Sequence, residues 1–306
     1  MTRAFCVPQH GAVSAICLLL LLVTACQSPQ QKKVLFIGID GVRVDVLEDV
    51  STPHLDTLAL QGWIAQGSQS DAPTVSGPMW SSLLTGVWPP KHGVMGNDFT
   101  GNRYDAYPDF LSRLEGIDTT FSTLSVTDWP PLSQPVDGGP LLGENIDDKV
   151  FFNGDELGYR SADELSVLAA VEYLENRNVD AAFLYLGNPD VVGHETSSLS
   201  AEYRRSIAEA DGQVGQLVKA LRQRPSFEEE DWLILVSTDH GRRDDGGHGG
   251  TSLLETTTFY IASGTAANAK PPESISPVDV SVTALAHLGV EADASWDLDG
   301  RSVGLR

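Results

Sequence analysis

Three apolar runs in this chain are each followed closely by side chains able to bind a cation. Asp40 follows VLFIGI, Asp190 and His194 follow AAFLYLGNP, and Asp239 and His240 follow WLILVST. An aspartate after a strand is by itself an ordinary turn residue. Three such strand ends, two of them carrying a histidine as well, are not explained by turns. Consecutive strand residues point to opposite faces. Asp239 and His240 therefore reach one ion only where the strand has already ended, which Gly241 permits. Asp190 and His194, four apart on a glycine-containing bend, can share an ion from one turn of chain. His248 stands in GGHGG, a setting flexible enough to bring a distant imidazole to the same place.

A second element is PTVSGPMWSSLLTG, residues 73–86. Ser76 lies immediately before a predicted helix over 77–84, with Pro78 allowed in its first turn. A side chain there faces unpaired N–H groups and the positive end of the helix dipole, a setting that suits a phosphoryl oxyanion. The plainer alternative is that Ser76 is an N-cap.

These residues need a scaffold, and the hydrophobic pattern predicts one. Residues 34–39, 181–186 and 232–237 are continuous apolar runs, as expected of strands covered on both faces. Further strands are predicted over 121–126 and 256–262. Helices are predicted over 53–61, 161–176, 201–222 and 278–287. The helix 161–176 is expected to bury Leu165, Leu168, Ala169 and Tyr173. The helix 201–222 is expected to bury Tyr203, Ile207, Val214, Leu217, Val218 and Leu221, with Ser200 as N-cap. Alternation of this kind predicts an α/β sandwich around a mostly parallel sheet, with ligands beyond the carboxyl ends of its strands. Residues 127–158 show no clear period and are expected to form a covering loop or a lid. His54 and His287 read as helix residues and His92 as a turn-stabilising one. Trp80, Trp88, Trp129, Phe151 and Phe152 could flank a leaving group, but each reads first as core.

Composition narrows the class. The chain has 306 residues, 41% hydrophobic, with 42 acidic against 20 basic side chains and a formal net charge of −22. This excludes a disordered tail, a coiled coil and a polytopic membrane protein. It also argues against a nucleic-acid partner, because no basic stripe is present.

The N-terminus reads as a targeting segment. Arg3 precedes an apolar run over 11–25, GAVSAICLLLLLVTA, which is short for a bilayer span and has the shape of a secretory signal. Its end, Val23-Thr24-Ala25-Cys26, resembles a bacterial lipoprotein box. That resemblance implies removal of residues 1–25, lipidation of Cys26, a polar tether over 26–33 and a domain over 34–306. The protein would be exported and held to a membrane through its lipid alone, facing the periplasm or the cell surface. An ordinary signal peptide is the alternative. Cys6, Cys17 and Cys26 are the only cysteines. Any metal site in the folded part must therefore use oxygen and nitrogen ligands.

Taken together, these motifs resemble the alkaline phosphatase superfamily, and most closely its nucleotide pyrophosphatase/phosphodiesterase branch. PPKHGV at 89–94 and DGRS at 299–302 are typical of it and fall in the expected order. The resemblance implies an alkaline-phosphatase-like three-layer α/β/α sandwich and two divalent ions, most simply zinc. Asp40, Asp239 and His240 would hold one ion, with Ser76 as its fourth ligand and the nucleophile. Asp190, His194 and His248 would hold the other. Asn97 matches the asparagine that, with a backbone N–H, binds a phosphoryl oxygen. The implied reaction is hydrolysis of a small phosphate ester through a phosphoseryl intermediate.

Within the superfamily, Trp80 stands where a sulfatase signature requires arginine, and no K-x-R pair of the kind used by one group of phosphomonoesterases occurs. A monoanionic diester needs less positive charge than a dianionic monoester. The expectation is therefore a phosphodiesterase. Ser76, where the diesterase branch commonly has threonine, keeps a phosphomonoesterase as the alternative, followed by a sulfatase-like hydrolase and a non-catalytic metal-binding lipoprotein.

Overall fold

The computed structural model describes residues 1–2, 30–70 and 73–306. Most of the predicted signal segment, and Cys26 with it, lies outside the described residues.

Seven strands form one sheet: β1 Gln31–Ile39, β2 Gly62–Gln69, β3 Thr123–Thr127, β4 Asp148–Phe151, β5 Ala181–Leu186, β6 Glu230–Ser237 and β7 Thr257–Ser263. Their order is β2-β7-β6-β1-β5-β3-β4. The block from β6 to β4 is parallel throughout, and only the pairings of β7 with β6 and with β2 are antiparallel. Among the described residues, seven helices of eight residues or more cover the sheet: α1 Pro53–Leu60, α2 Ser76–Thr85, α3 Phe110–Ile117, α4 Tyr159–Asn176, α5 Asn188–Glu195, α6 Ala201–Gln223 and α7 Asp279–His287.

The alternation of β1 assigns the layers. Leu35, Ile37 and Ile39 pack into a core with residues of α1, α4 and α6. Val34 and Phe36 point the other way, into a core with residues of α2, α3 and α7. A strand buried on both faces must be apolar at every position, which is why VLFIGI reads as one run. Each fully buried Leu, Ile, Val or Phe contributes about 1.5–3 kcal/mol. The expected three-layer α/β/α sandwich is therefore the fold observed.

Three sequence expectations change. First, β1 begins at Gln31, so residues 31–33 belong to the sheet and not to a tether. Lys33 is fully buried there because Asp180, Asn178 and the Val179 carbonyl, all within 2.9 Å of its ammonium, satisfy it. Second, residues 127–158 are partly regular, since they supply the edge strand β4 and two short helices, Pro130–Ser133 and Gly154–Leu157. Third, α4 buries a face rotated from the one expected, of which only Tyr173 still packs, partly buried, against the core. Ala162, Asp163, Ser166, Val167, Ala170 and Leu174 face inward, while Leu168 is 61% exposed and Leu165 is exposed too. Two polar residues inside the stripe defeat the hydrophobic pattern, and Asp163 is there because the site uses it. Leu168→Ala should change stability by less than about 0.5 kcal/mol, whereas Val167→Ala should cost about 1–3 kcal/mol. Urea titration of the two variants checks this.

α6 follows the expected stripe, and Ser200 Oγ accepts the Tyr203 N–H at 3.0 Å as its cap. No described helix is long and apolar enough to cross a membrane.

Candidate active site

The three central strands β6, β1 and β5 are neighbours and parallel, so their carboxyl ends open on one edge of the sheet. Asp40 comes from the end of β1. Asp239 and His240 follow β6 after Thr238, past the regular strand as expected. Asp190 and His194 ride on α5, which starts just beyond β5. The pair thus shares a helix face at i, i+4 spacing, where a bend was predicted.

Asp40, Asp239 and His240 converge in a buried cluster. His240 Nε2 lies 3.2 Å from Asp239 Oδ2, 3.7 Å from Asp40 Oδ1 and 3.4 Å from Ser76 Oγ. His240 Nδ1 is 3.0 Å from the Gly241 carbonyl, which can only accept. The ring proton is therefore on Nδ1, and Nε2 presents its lone pair to the carboxylates. Asp239 Oδ1 accepts the Gly41 N–H at 3.1 Å. Asp40 Oδ2 accepts from Trp80 Nε1 at 2.8 Å and from the Tyr185 hydroxyl at 2.6 Å. The other oxygens, Asp40 Oδ1 and Asp239 Oδ2, are buried with no hydrogen-bond partner.

Burial, and then repulsion from Asp190, push the Asp40 carboxyl up to about 7. Burial and the Asp40 charge push Asp239 well above the ordinary carboxylate range. Burial, and then His248, hold His240 well below the usual imidazole value. Two carboxylates and a neutral imidazole, with unpaired lone pairs facing one another, form an arrangement that a divalent cation would relieve.

The second group adjoins it. His194 Nε2 is 2.8 Å from His248 Nε2 and 3.4 Å from Asp190 Oδ2, and His248 Nε2 is 3.6 Å from Asp190 Oδ1. His248 Nδ1 donates to the Thr74 carbonyl at 2.7 Å, fixing its tautomer as in His240. The His240 and His248 rings stack with centroids 3.9 Å apart, so His240 also groups with Asp190 and His248. His194 stands at the mouth, its side chain 47% exposed. The donor set is oxygen and nitrogen only, which suits zinc. Two groups could each hold a divalent ion, Asp40 with Asp239 and His240, and Asp190 with His240 and His248; the expected ligand His194 is in neither but adjoins the second, 2.8 Å from His248 Nε2.

Ser76 is the first residue of α2, and not its N-cap: Val75 occupies that position, with no side-chain cap bond. Its hydroxyl is thereby left for the site. The Gly77 N–H donates to Asn97 Oδ1 at 2.8 Å, which leaves the Asn97 amide hydrogens unused by that contact. His92 behaves as a turn residue, with Nε2 3.1 Å from Ser82 Oγ and Nδ1 accepting the Val94 N–H at 3.1 Å.

Several residues that sequence reasoning left in the core or did not mention support the site. Trp80, one turn after Ser76, reaches Asp40 because Gly38 leaves room for its ring; a Cβ at Gly38 would overlap it. Tyr185 lies opposite Gly38 in the β1–β5 register. Asp163 accepts the N–H groups of Gly187 at 2.9 Å and Asn188 at 3.3 Å, holding the start of α5 and so the helix that carries Asp190 and His194. Arg242 binds Asp190.

The sequence matches the family model described as "Type I phosphodiesterase / nucleotide pyrophosphatase" over residues 34–142 and 127–245. It is 25% identical over 251 residues to mouse ectonucleotide pyrophosphatase/phosphodiesterase family member 7, covering 76% of this chain and 55% of that protein. The fold resembles murine ectonucleotide pyrophosphatase/phosphodiesterase 5 in complex with AMP (TM-score 0.65, 16% identity, 86% of this chain and 96% of that one). It also resembles a putative sulfatase from Bacteroides thetaiotaomicron (TM-score 0.68, 15% identity, 89% and 74%). The chain spans about half the length of the curated relatives it matches. The family match covers every predicted ligand except His248, which lies three residues past its end. The chain belongs to the type I phosphodiesterase / nucleotide pyrophosphatase family.

Proposed function

We propose that this protein is a two-metal phosphodiesterase acting on a small phosphate diester, with Ser76 as nucleophile. The observation that carries the reading is the position of Ser76 Oγ, 3.4 Å from His240 Nε2, at a cluster whose carboxylate oxygens Asp40 Oδ1 and Asp239 Oδ2 have no partner. Asp40, Asp239, His240 and Ser76 would hold one divalent ion, and Asp190, His194 and His248 the second. When bound, such ions supply Lewis-acid stabilisation of the entering and leaving oxygens and acidify the attacking hydroxyl.

The chain's own residues do the rest. Ser76 Oγ gives its proton to solvent and forms the bond to phosphorus, and the bond to the leaving alkoxide breaks, that oxygen taking a proton from solvent as it departs. Water then cleaves the phosphoseryl ester and regenerates the hydroxyl. Asn97, oriented by the Gly77 N–H at its Oδ1, turns its amide hydrogens toward a phosphoryl oxygen.

The preference for a diester rests on charge. Arg43 is bound to Asp45 and Asp244, Arg242 to Asp190, and Arg243 to Glu255. These arginines are thus engaged with carboxylates, and none of the three is left to pair with a second negative charge on the substrate. That Ser76 is serine supports phosphomonoester hydrolysis as a second reading. The proposal also places the protein outside the cytoplasm as a lipoprotein anchored through Cys26; palmitate labelling abolished by Cys26→Ala tests that part.

Bis-p-nitrophenyl phosphate, p-nitrophenyl phosphate and p-nitrophenyl sulfate, assayed side by side with zinc-loaded protein, test the activity. The diester should be turned over at least about tenfold faster than the monoester, about 1.4 kcal/mol of discrimination. A faster monoester selects the second reading. No turnover of any ester selects a metal-binding protein without catalysis.

A further inference from the structure

We propose that Arg242 is a positioning residue that preforms one of the two cation sites, the one built from Asp190, His194 and His248. The inference rests on the two-metal reading above. Arg242 is completely buried. Its guanidinium makes a different bond in each direction: Nη2 to Asp190 Oδ1, Nε to the Gly41 carbonyl at 3.1 Å and Nη1 to the Gly246 carbonyl at 3.0 Å. These acceptors lie on three separate segments. Gly41 follows the ligand Asp40, Asp190 is on α5, and Gly246 is two residues before His248. One planar fork therefore ties α5 and the loop before His248, which carry the second site's ligands, to the backbone just after Asp40, a task its fixed donor geometry suits.

The surroundings are shaped to this guanidinium. It lies 5.5 Å from the centroid of the Tyr203 ring, and the Tyr203 hydroxyl donates to the same Gly41 carbonyl at 2.7 Å. Two glycines make the space. A Cβ at Gly193, between Asp190 and His194 on α5, would overlap Nη1. A Cβ at Gly41 would lie 2.9 Å from Nη2 and 2.5 Å from Asp190 Oδ1, at a φ of +64° that favours glycine in any case. With Oδ1 taken by Arg242, Asp190 presents Oδ2 toward His194.

A fixed positive charge beside a metal ligand has two opposed effects. It repels an incoming cation, and it holds the ligand where the cation needs it. If repulsion dominates, neutralising Arg242 tightens the second site. If positioning dominates, both a neutral and a charge-conserving replacement weaken it, because lysine is a point charge that cannot span three acceptors. The buried fork and its glycine surround favour positioning. Loss of a group that orients a ligand typically costs 10- to 100-fold in metal affinity.

The test is calorimetric titration of zinc into the chelator-stripped full chain. Wild type should take up two ions. Arg242→Lys and Arg242→Gln should each bind one ion within about threefold of wild type and the other at least tenfold more weakly. Gly193→Ala, which keeps the guanidinium and its charge but crowds it from α5, should show the same selective loss. It carries the test if the Arg242 variants do not fold, as judged by near-ultraviolet circular dichroism. Two ions bound with wild-type affinities in these variants, tightening in Arg242→Gln, or equal weakening of both ions would overturn the positioning role and leave the two-metal reading standing. Fewer than two ions in wild type would remove the two-metal reading itself.

Discussion

Ser76→Ala should reduce diester turnover by at least about 10⁴-fold, the scale seen when a covalent nucleophile is removed. The same variant should keep its fold and both ions. The hydroxyl makes a long, 3.4 Å contact with His240 Nε2, and Val75, not Ser76, is the N-cap of α2. Its loss should therefore cost no more than about 1 kcal/mol of stability. The proposed metal ligands Asp40, Asp239 and His240 stay in place through bonds that do not involve Ser76: Trp80 and Tyr185 to Asp40, Gly41 to Asp239 and the Gly241 carbonyl to His240. A variant that is folded and metal-replete yet inactive separates a nucleophile from a structural serine. Activity within tenfold of wild type would take Ser76 out of the mechanism, and co-ordinate loss of metal and fold would make it a structural residue.

What could be read from the sequence follows from what each residue type announces by itself. Strands β1, β5 and β6 are apolar at nearly every position because both their faces are covered, and polar residues at their ends stand out against that background. The Asp and His residues that meet at this sheet edge were legible for the same reason. Trp80, Tyr185 and Arg242 were not. An aromatic residue looks alike whether it packs in a core or also donates to Asp40, and only the register placing Tyr185 opposite Gly38 shows which it does. Arg242 sits in a charged run, GRRDDGG, that reads as solvated surface, yet it is buried because three acceptors from distant segments meet there. The α4 face was misread because Asp163 and Ser166 occupy inward positions, Asp163 in order to hold the start of α5. The strands β2 and β4 lie at the two sheet edges, where half-exposed side chains weaken the pattern.

Chelation should destabilise the protein much more at pH 8 than at pH 5. In the stripped fold the Asp40 carboxyl titrates near 7, raised by burial and by Asp190, and Asp239 is raised well above its ordinary value. A carboxyl raised in this way keeps a proton that the unfolded chain releases near 3.9. Its contribution to the stripped fold is therefore fully present below about pH 4 and is lost as the pH rises through about 7. An incoming cation must displace that proton. Each displaced proton weakens apparent affinity about 100-fold between pH 7 and pH 5. The gap in Tm between loaded and stripped protein should thus be small at pH 5 and at least about 10 °C at pH 8, given about 4 kcal/mol for each ion present at 1,000 times its Kd. His92, held near 4 by burial, favours the fold as pH rises between 4 and 6.5 in both forms and cancels from the gap. Asp239→Asn separates ligand from scaffold. The amide retains an oxygen for the Gly41 N–H but removes a buried ionisable group whose second oxygen has no partner. Stripped Asp239→Asn should be at least as stable as stripped wild type, yet bind fewer ions and lose turnover. If it binds both ions as wild type does, or if the Tm gap is flat with pH, these carboxylates are not where the cations sit.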